Sequence, residues 1–396
     1  MVERASGGDE PSRIAILGGG LVGLTTALLM HQQGFKVAVI ERQAPELMVG
    51  QLGMDIRNVA LSPASVGVLR RAGVWGDMRA TPYQRMCIWE QWGTETVNFD
   101  AVDVDATELG WLVELSRVVC AAWSQVVAAG GIEIVESGVA EIQAHMRAVD
   151  LHLEKGETRS FDFVIAADGA RSVAHRSLNI PMIRQPINQV AIATVVRTQF
   201  SHEHTAWQRF LTEGPLAVLP GTDDRLSSIV WSQSTATAER RMQLDDDAFL
   251  QELTYASEHR LGQMLQVDRR YSFPLGQQRA SQCAPHPRVV LVGDALRVIH
   301  PLAGQGMNLG LEDVCRLVAV SEHHQDLAVP GLWQKFARQR ERRSQMMMQV
   351  MAALNQVYTQ TRPSALLLRK VGIRSFNAMA SLKKQVMAEA MGLAQS

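Results

Sequence analysis

Three glycines near the start of the chain, Gly18, Gly20 and Gly23, have the spacing G-x-G-x-x-G, and an acid, Glu41, follows roughly twenty residues on. Glycines so spaced let the backbone turn tightly and approach a pyrophosphate closely, and the carboxylate downstream can accept a hydrogen bond from a ribose hydroxyl. That chemistry needs a strand to deliver the turn and a helix to aim its N–H groups. Both are written around the glycines. Ile14 to Leu17 form a short apolar run, as a buried parallel strand should. Leu21, Leu24, Thr25, Leu28 and Leu29 then recur at helical spacing, Gly34 stands where a helix C-cap glycine is expected, and Lys36 to Ile40 make a second strand ending in Glu41. A complete β-α-β unit for a dinucleotide results, and NAD and FAD fit it equally well.

Two later segments repeat the strand-then-turn pattern. "FDFVIAADGARSVAHRSLNI" places Asp168-Gly169 after the apolar run Phe163 to Ala167, with a helical stretch from about Ser172. "RVVLVGDALRVIHPLAGQGMNLGLEDV" places Gly293-Asp294 after Val289 to Val292, and then His300, Pro301, Gly304 and Gly306 ahead of a helix from Met307. The start of that helix would turn its N–H groups and dipole towards whatever sits at the loop.

The rest of the composition excludes several classes. Of 396 residues, 46% are hydrophobic and 20% charged, and the formal net charge of −1 offers no basic field for nucleic acid. The four cysteines, Cys87, Cys120, Cys283 and Cys315, form no CxxC, so neither a disulfide framework nor a zinc site is indicated and a cytoplasmic setting fits. His202 and His204 in "SHEHT" lack a third ligand at suitable spacing and are expected in a solvated loop, so no metal site is assigned. The polar start "MVERASGGDEPS" lacks the apolar run of a signal peptide, and no run of about 18 apolar residues is present to span a membrane.

Taken in order, the dinucleotide turn, the Asp-Gly loop and the Gly-Asp loop resemble the single-component, FAD-dependent aromatic monooxygenases. "IHPLAGQGMNLGLEDV", "DIRNVALSPASVGVLRRAGVW" and the C-terminal "VMAEAMGL" look closer still to the ubiquinone-biosynthesis hydroxylase branch, so the similarity touches essentially the whole chain. The resemblance implies an α/β fold. A Rossmann-like FAD-binding domain, similar to that of p-hydroxybenzoate hydroxylase, would be built from residues 1–75, 108–178 and 276–340. A β-sheet substrate domain (76–107 and 179–275) would be interleaved with it, and helices would follow over 341–396. It further implies that Gly18, Gly20 and Gly23 cradle the FAD pyrophosphate and that Glu41 binds the adenosine ribose, with Arg42 beside it. Arg57 and Arg117 would contact FAD, Asp294 would bind its ribityl or pyrophosphate region, and Asp168 would support the flavin site and NAD(P)H use. Gly304, Gly306, Met307 and Asn308, with His300 and Pro301, would lie against the isoalloxazine ring.

The activity so implied is hydroxylation of a polyprenylated phenol in ubiquinone biosynthesis, by NAD(P)H and O2 through a flavin C4a-hydroperoxide. The tilt is towards an early polyprenylphenol. The flavin would carry the difficult step, and no catalytic acid or base stands out. A flavin disulfide reductase would need a CxxxxC, and a flavin halogenase a W-x-W-x-I-P that "WEQW" at Trp89 does not supply. Hydroxylation of another apolar phenol stays open, as does a non-catalytic assembly subunit. Peripheral membrane contact or membership of a ubiquinone-biosynthesis complex would suit such a substrate. In the sheet domain, Trp207, Phe210, Leu219, Pro220 and Trp231 are candidates to line an apolar pocket. "FARQRERRSQMMMQVMAALNQVY" reads as a long amphipathic helix. One departure stands out: where the family has Ala and then His after Gly-Asp-Ala, this chain has Leu296 and Arg297. An arginine buried beside FAD without a partner would be costly, so Arg297 is expected on the pocket rim with its stem reaching solvent.

Overall fold

The computed structural model describes residues 12–76, 78–92, 95–299, 305–360 and 362–393. A five-stranded parallel sheet carries the glycine turn, in the order Val289–Leu291, Phe163–Ala166, Arg13–Leu17, Lys36–Glu41, Ile132–Glu136. Ile14, Ala15, Ile16 and Leu17 are almost wholly buried, because helices and a small antiparallel sheet share this sheet's core and every position of the strand must be apolar. Gly18, at φ +99°, ends the strand, and α1 (Leu21–Gln32) begins at Gly20 with no side chain capping it. The free N–H groups of its first turn are therefore left for a ligand. Gly34, at φ +91°, closes the helix as the C-cap pattern predicts.

Two smaller antiparallel sheets attach to this core. Val139–Ala144, Val149–Leu153 and Thr158–Phe161 form one; Asn58–Leu61, Gly110–Glu114 and Ala80–Tyr83 form the other. Helices α2 (Pro63–Arg71) and α3 (Leu115–Ala128) follow strands of the second, and the short α4 (Val173–Ser177) follows the Asp168 loop.

A nine-stranded sheet is built on the 17-residue strand Met182–Thr198. Its side chains alternate between two faces. Ile192, Val196, Leu216, Val218, Ile229 and Trp231 pack under α5 (Thr235–Met242) and α6 (Asp246–Ala256). Ala193, Val195, Leu219 and Leu226 point the other way, against Met54, Ile56 and Leu112. The expectation for Trp231 is therefore corrected: it sits in the helix-covered core, edge-on to Phe249 with the Arg241 guanidinium 3.7 Å from its ring. Trp207 leans on the same core. Phe210 and Leu219 are on the opposite face, and Pro220 ends its strand buried.

The chain continues through α7 (Gln305–Ser321), α8 (Gln334–Thr359), α9 (Pro363–Ala378) and α10 (Ala380–Ala390). The methionine-rich run lies in α8, where Met348 and Met351 are buried against Ile299 and Phe210 while Met346, Val350 and Val357 are exposed. No described helix is long and apolar enough to cross a membrane.

His202 corrects another expectation. Its side chain is buried, with Nε2 3.2 Å from the Asp223 carbonyl and Nδ1 accepting from the His204 amide. Burial, helped by neighbouring His204, holds its pKa below the ordinary value. A depressed histidine contributes stability that is present above about pH 6.5, the unfolded value, and is lost as pH falls and only the unfolded chain takes up the proton. The urea midpoint of the wild type should therefore fall more steeply than that of His202→Gln between pH 7.5 and 5.5. Parallel slopes would contradict this.

Candidate functional site

The dinucleotide turn is fixed by close packing on two of its glycines and open on the third. A Cβ on Gly18 would lie 2.6 Å from the Ala167 carbonyl oxygen and 2.8 Å from the Asp168 Cα, and one on Gly23 would overlap the Gly18 carbonyl. A Cβ on Gly20 would meet nothing within 4 Å. Gly18 and Gly23 thus serve the packing of strand, helix and Asp-Gly loop, while Gly20 faces free space at the helix start. The Glu41 carboxylate spans the turn, accepting from the Gly19 amide at 2.6 Å and from the Arg42 amide at 2.7 Å.

These residues and the second loop share one cleft of about 320 Å³, lined by Gly18, Gly20, Glu41, Arg42, Asp168 and Gly169 among others. Asp168 Oδ2 accepts from the Val173 amide at 2.8 Å, which fixes the start of α4. Its Oδ1 is buried with no partner, and burial raises the carboxyl pKa. Arg42 lies at the cleft's edge, mostly exposed and ion-paired with Glu154 at 2.6 Å.

Arg57 and Arg117 are presented by a knot of two buried acids. Asp55 accepts from the amides of Arg57 (2.9 Å) and Ser116 (3.0 Å), and Glu114 accepts from the Asp55 amide (2.8 Å) and Arg117 Nε (3.1 Å). The Arg57 side chain is exposed, whereas Arg117 borders a separate hollow with Gly73, Val74 and Arg79. The structure therefore does not bring Arg117 into the cleft of Glu41.

The third loop is a short 3-10 turn, Gly293–Ala295, with Gly293 in the left-handed region at φ +59°. It sits against the first turn of α1: Cβ atoms on Gly293 and Gly310 would stand 3.2 and 2.7 Å from Val22. The surrounding protein raises the pKa of Asp294 by desolvation, although the residue keeps an exposed surface. Gly306, in the first turn of α7, resembles Gly20 in facing open space. Met307 packs on the main core. The Asn308 side chain ties α7 to α2, accepting from the Ser62 amide and the Ser65 hydroxyl and donating to the Ala60 carbonyl. His300, Pro301 and Gly304 lie outside the described residues.

With this geometry in place, comparison with known proteins is decisive. A protein-family model described as an FAD binding domain matches residues 12–351. The chain is 32% identical to the 3-demethoxyubiquinol 3-hydroxylase of Escherichia coli (strain K12), over 97% of this chain and 100% of that one. It is 30% identical to the ubiquinone hydroxylase UbiL of Rhodospirillum rubrum, over 97% and 90%. This chain is an FAD-dependent aromatic monooxygenase of the ubiquinone-biosynthesis hydroxylase family. Its fold matches that of p-nitrophenol 4-monooxygenase PnpA from Pseudomonas putida DLL-E4, with a TM-score of 0.77 at 18% identity, covering 96% of this chain and 98% of the other.

FAD suits the residues present in this flavoprotein. A Cβ on Gly20 at the start of α1, or on Gly306 in the first turn of α7, would meet nothing within 4 Å, and an orphaned carboxylate oxygen on Asp168 borders the cleft. Two expectations about the Gly-Asp loop are resolved. Leu296 is a core side chain, 1% exposed. Arg297 is not on the rim: it is 3% exposed and pairs with Asp313 through Nη1 (2.8 Å) and Nη2 (3.1 Å). The cost of burial that argued for the rim is met by a partner on the facing helix. Sequence reasoning missed Asp313, and it missed His175, whose Nε2 lies 2.7 Å from the Ala295 carbonyl and ties the Asp-Gly segment to the Gly-Asp turn. The acid in "GLEDV" was the available signal, since it interrupts the apolar face of α7.

Proposed function

We propose that this flavoprotein hydroxylates the aromatic ring of a polyprenylated phenol in ubiquinone biosynthesis, with NAD(P)H as reductant and O2 as co-substrate. The observation that carries the reading is full-length similarity to ring hydroxylases in a chain whose three loops converge on open glycines and an orphaned acid.

FAD, when bound, supplies the electron transfer from NAD(P)H to O2 and the delivery of one oxygen atom to the ring. The chain's own residues would hold and shield it. The turn from Gly18 to Gly23 would take the pyrophosphate at the start of α1. Glu41 would exchange its contact with the Gly19 amide for ribose hydroxyls, and Arg42 would flank it. Arg57, and Arg117 from outside the Glu41 cleft, would supply positive charge, Asp294 would accept from the ribityl chain, and Asp168 would order the segment between them. The first turn of α7, at Gly306, Met307 and Asn308, with His300, Pro301 and Gly304, would back the ring system, where a helix N-terminus favours negative charge. Ile299, Leu309, Met347 and Phe210, which pack in apolar clusters at α8, would help keep water from the reacting ring. Peripheral contact with a membrane, or with a ubiquinone-biosynthesis complex, belongs to the same proposal, because such a substrate partitions into lipid.

The rival reading, a non-catalytic subunit, would gain support if Leu296 and Arg297 disrupted the Gly-Asp loop. Both are absorbed by the fold, one as core and one as a paired cation. In cells lacking the protein, quinone-lipid analysis should show a polyprenylphenol missing one ring hydroxyl, cleared by the wild-type gene. An unchanged lipid profile would count against the proposal.

A further inference from the structure

The Asp313 carboxylate has no free acceptor position. Oδ2 accepts from the Gly293 amide at 2.9 Å and Arg297 Nη1 at 2.8 Å; Oδ1 accepts from Arg297 Nη2 at 3.1 Å and Arg340 Nε at 2.5 Å. Four donors fill its lone-pair sites, and the residue is wholly buried. These donors come from three residues in different parts of the site. Gly293 opens the turn that carries Asp294, Arg297 closes it, and Arg340 belongs to α8. Arg340 also reaches Glu312 at 2.5 Å, and Glu312 and Glu389 flank Arg343, so the linkage runs from the turn to α10. The turn has little other freedom, held by His175 at the Ala295 carbonyl and by Val22 beneath Gly293.

We infer that Asp313 is a positioning residue for FAD: together with Arg297 it fixes the Gly293–Asp294 turn, and so sets where the Asp294 carboxylate meets the cofactor. Asp313 is itself buried beneath the turn and touches it from behind, so its influence passes through Asp294. Arg297 supplies a permanent charge and a two-pronged contact that locks the carboxylate in one orientation. The proposal rests on the reading of the site as an FAD site.

A double-mutant cycle on FAD affinity tests it, with flavin-fluorescence quenching and the flavin absorbance spectrum as readouts on the apoprotein. Asp294→Ala should weaken FAD about tenfold, and Asp313→Asn should do the same, because the turn loses its register. The pair together should also cost about tenfold, since Asp313 has nothing left to position. Arg297→Met is read in the same way should Asp313→Asn not fold, and Arg297→Lys should recover part of the affinity. A loss of about a hundredfold in the double variant, or a lowered urea midpoint with FAD affinity and spectrum unchanged, would overturn the inference. Wild-type apoprotein that takes up no FAD would instead overturn the reading beneath it.

Discussion

Gly20→Val is expected to give a folded protein that no longer retains FAD. A Cβ there meets no protein atom within 4 Å, which leaves the apoprotein room for the side chain. The same side chain would occupy the space at the start of α1 through which a pyrophosphate must approach. Gly23→Val is the control of opposite character. Its Cβ would overlap the Gly18 carbonyl and force α1 away from the strand, so folding itself should fail. Acid-released flavin and far-ultraviolet circular dichroism separate the two outcomes. Full flavin occupancy in Gly20→Val would show that the turn is misassigned.

Arg369→Met should lose about 3–5 kcal/mol of stability, the usual cost of stripping one partner from a buried ion pair. Arg369 Nε is 2.6 Å from Glu90 Oε2, and both side chains are nearly inaccessible. The same guanidinium donates to the carbonyls of Val357 and Tyr358 in the last turn of α8, and it lies over the Tyr358 ring, which is itself stacked on Phe210. It thus clasps α8 and α9 to the large sheet beside Phe210. Burial already holds the Glu90 carboxyl above its usual range despite the cation. Without Arg369 the acid must take up a proton or leave its site. Glu90→Leu combined with Arg369→Met should recover part of the loss, because no buried charge is then left alone. Urea denaturation of the two variants decides the matter. A double variant less stable than Arg369→Met, or a loss well under 1 kcal/mol for the single change, would contradict it.

What could be read before folding was whatever local pattern determines. The β-α-β unit was legible because its glycines, its apolar strand and its terminal acid all lie within thirty residues, and the same logic exposed the Asp168 and Gly293 loops. The residues around Trp231 do not say which face of their strand α5 and α6 would cover, and Trp231, a candidate to line the pocket, lies in the helix-covered core. Charged residues were the least legible. Arg297, Asp313, Asp55 and Glu114 have ordinary surface residue types, and only tertiary pairing makes them buried. The argument that placed Arg297 on the rim was sound about cost and failed on the partner, sixteen residues later on the facing helix. His202 was expected in a solvated loop for the same reason, since the groups that hold it buried, the Asp223 carbonyl and the His204 amide, are backbone groups no motif marks.

The central claim, that this fold delivers an oxygen atom from O2 to a phenolic ring, has one direct test. The FAD-loaded protein would be reduced by NADPH or NADH without oxygen, mixed with a polyprenylphenol, and exposed to 18O2, and the lipid product would be weighed by mass spectrometry. A hydroxylated ring carrying one 18O atom is the predicted result. Reoxidation of the flavin with hydrogen peroxide released and the phenol recovered unchanged, across short- and long-chain phenols alike, would contradict it.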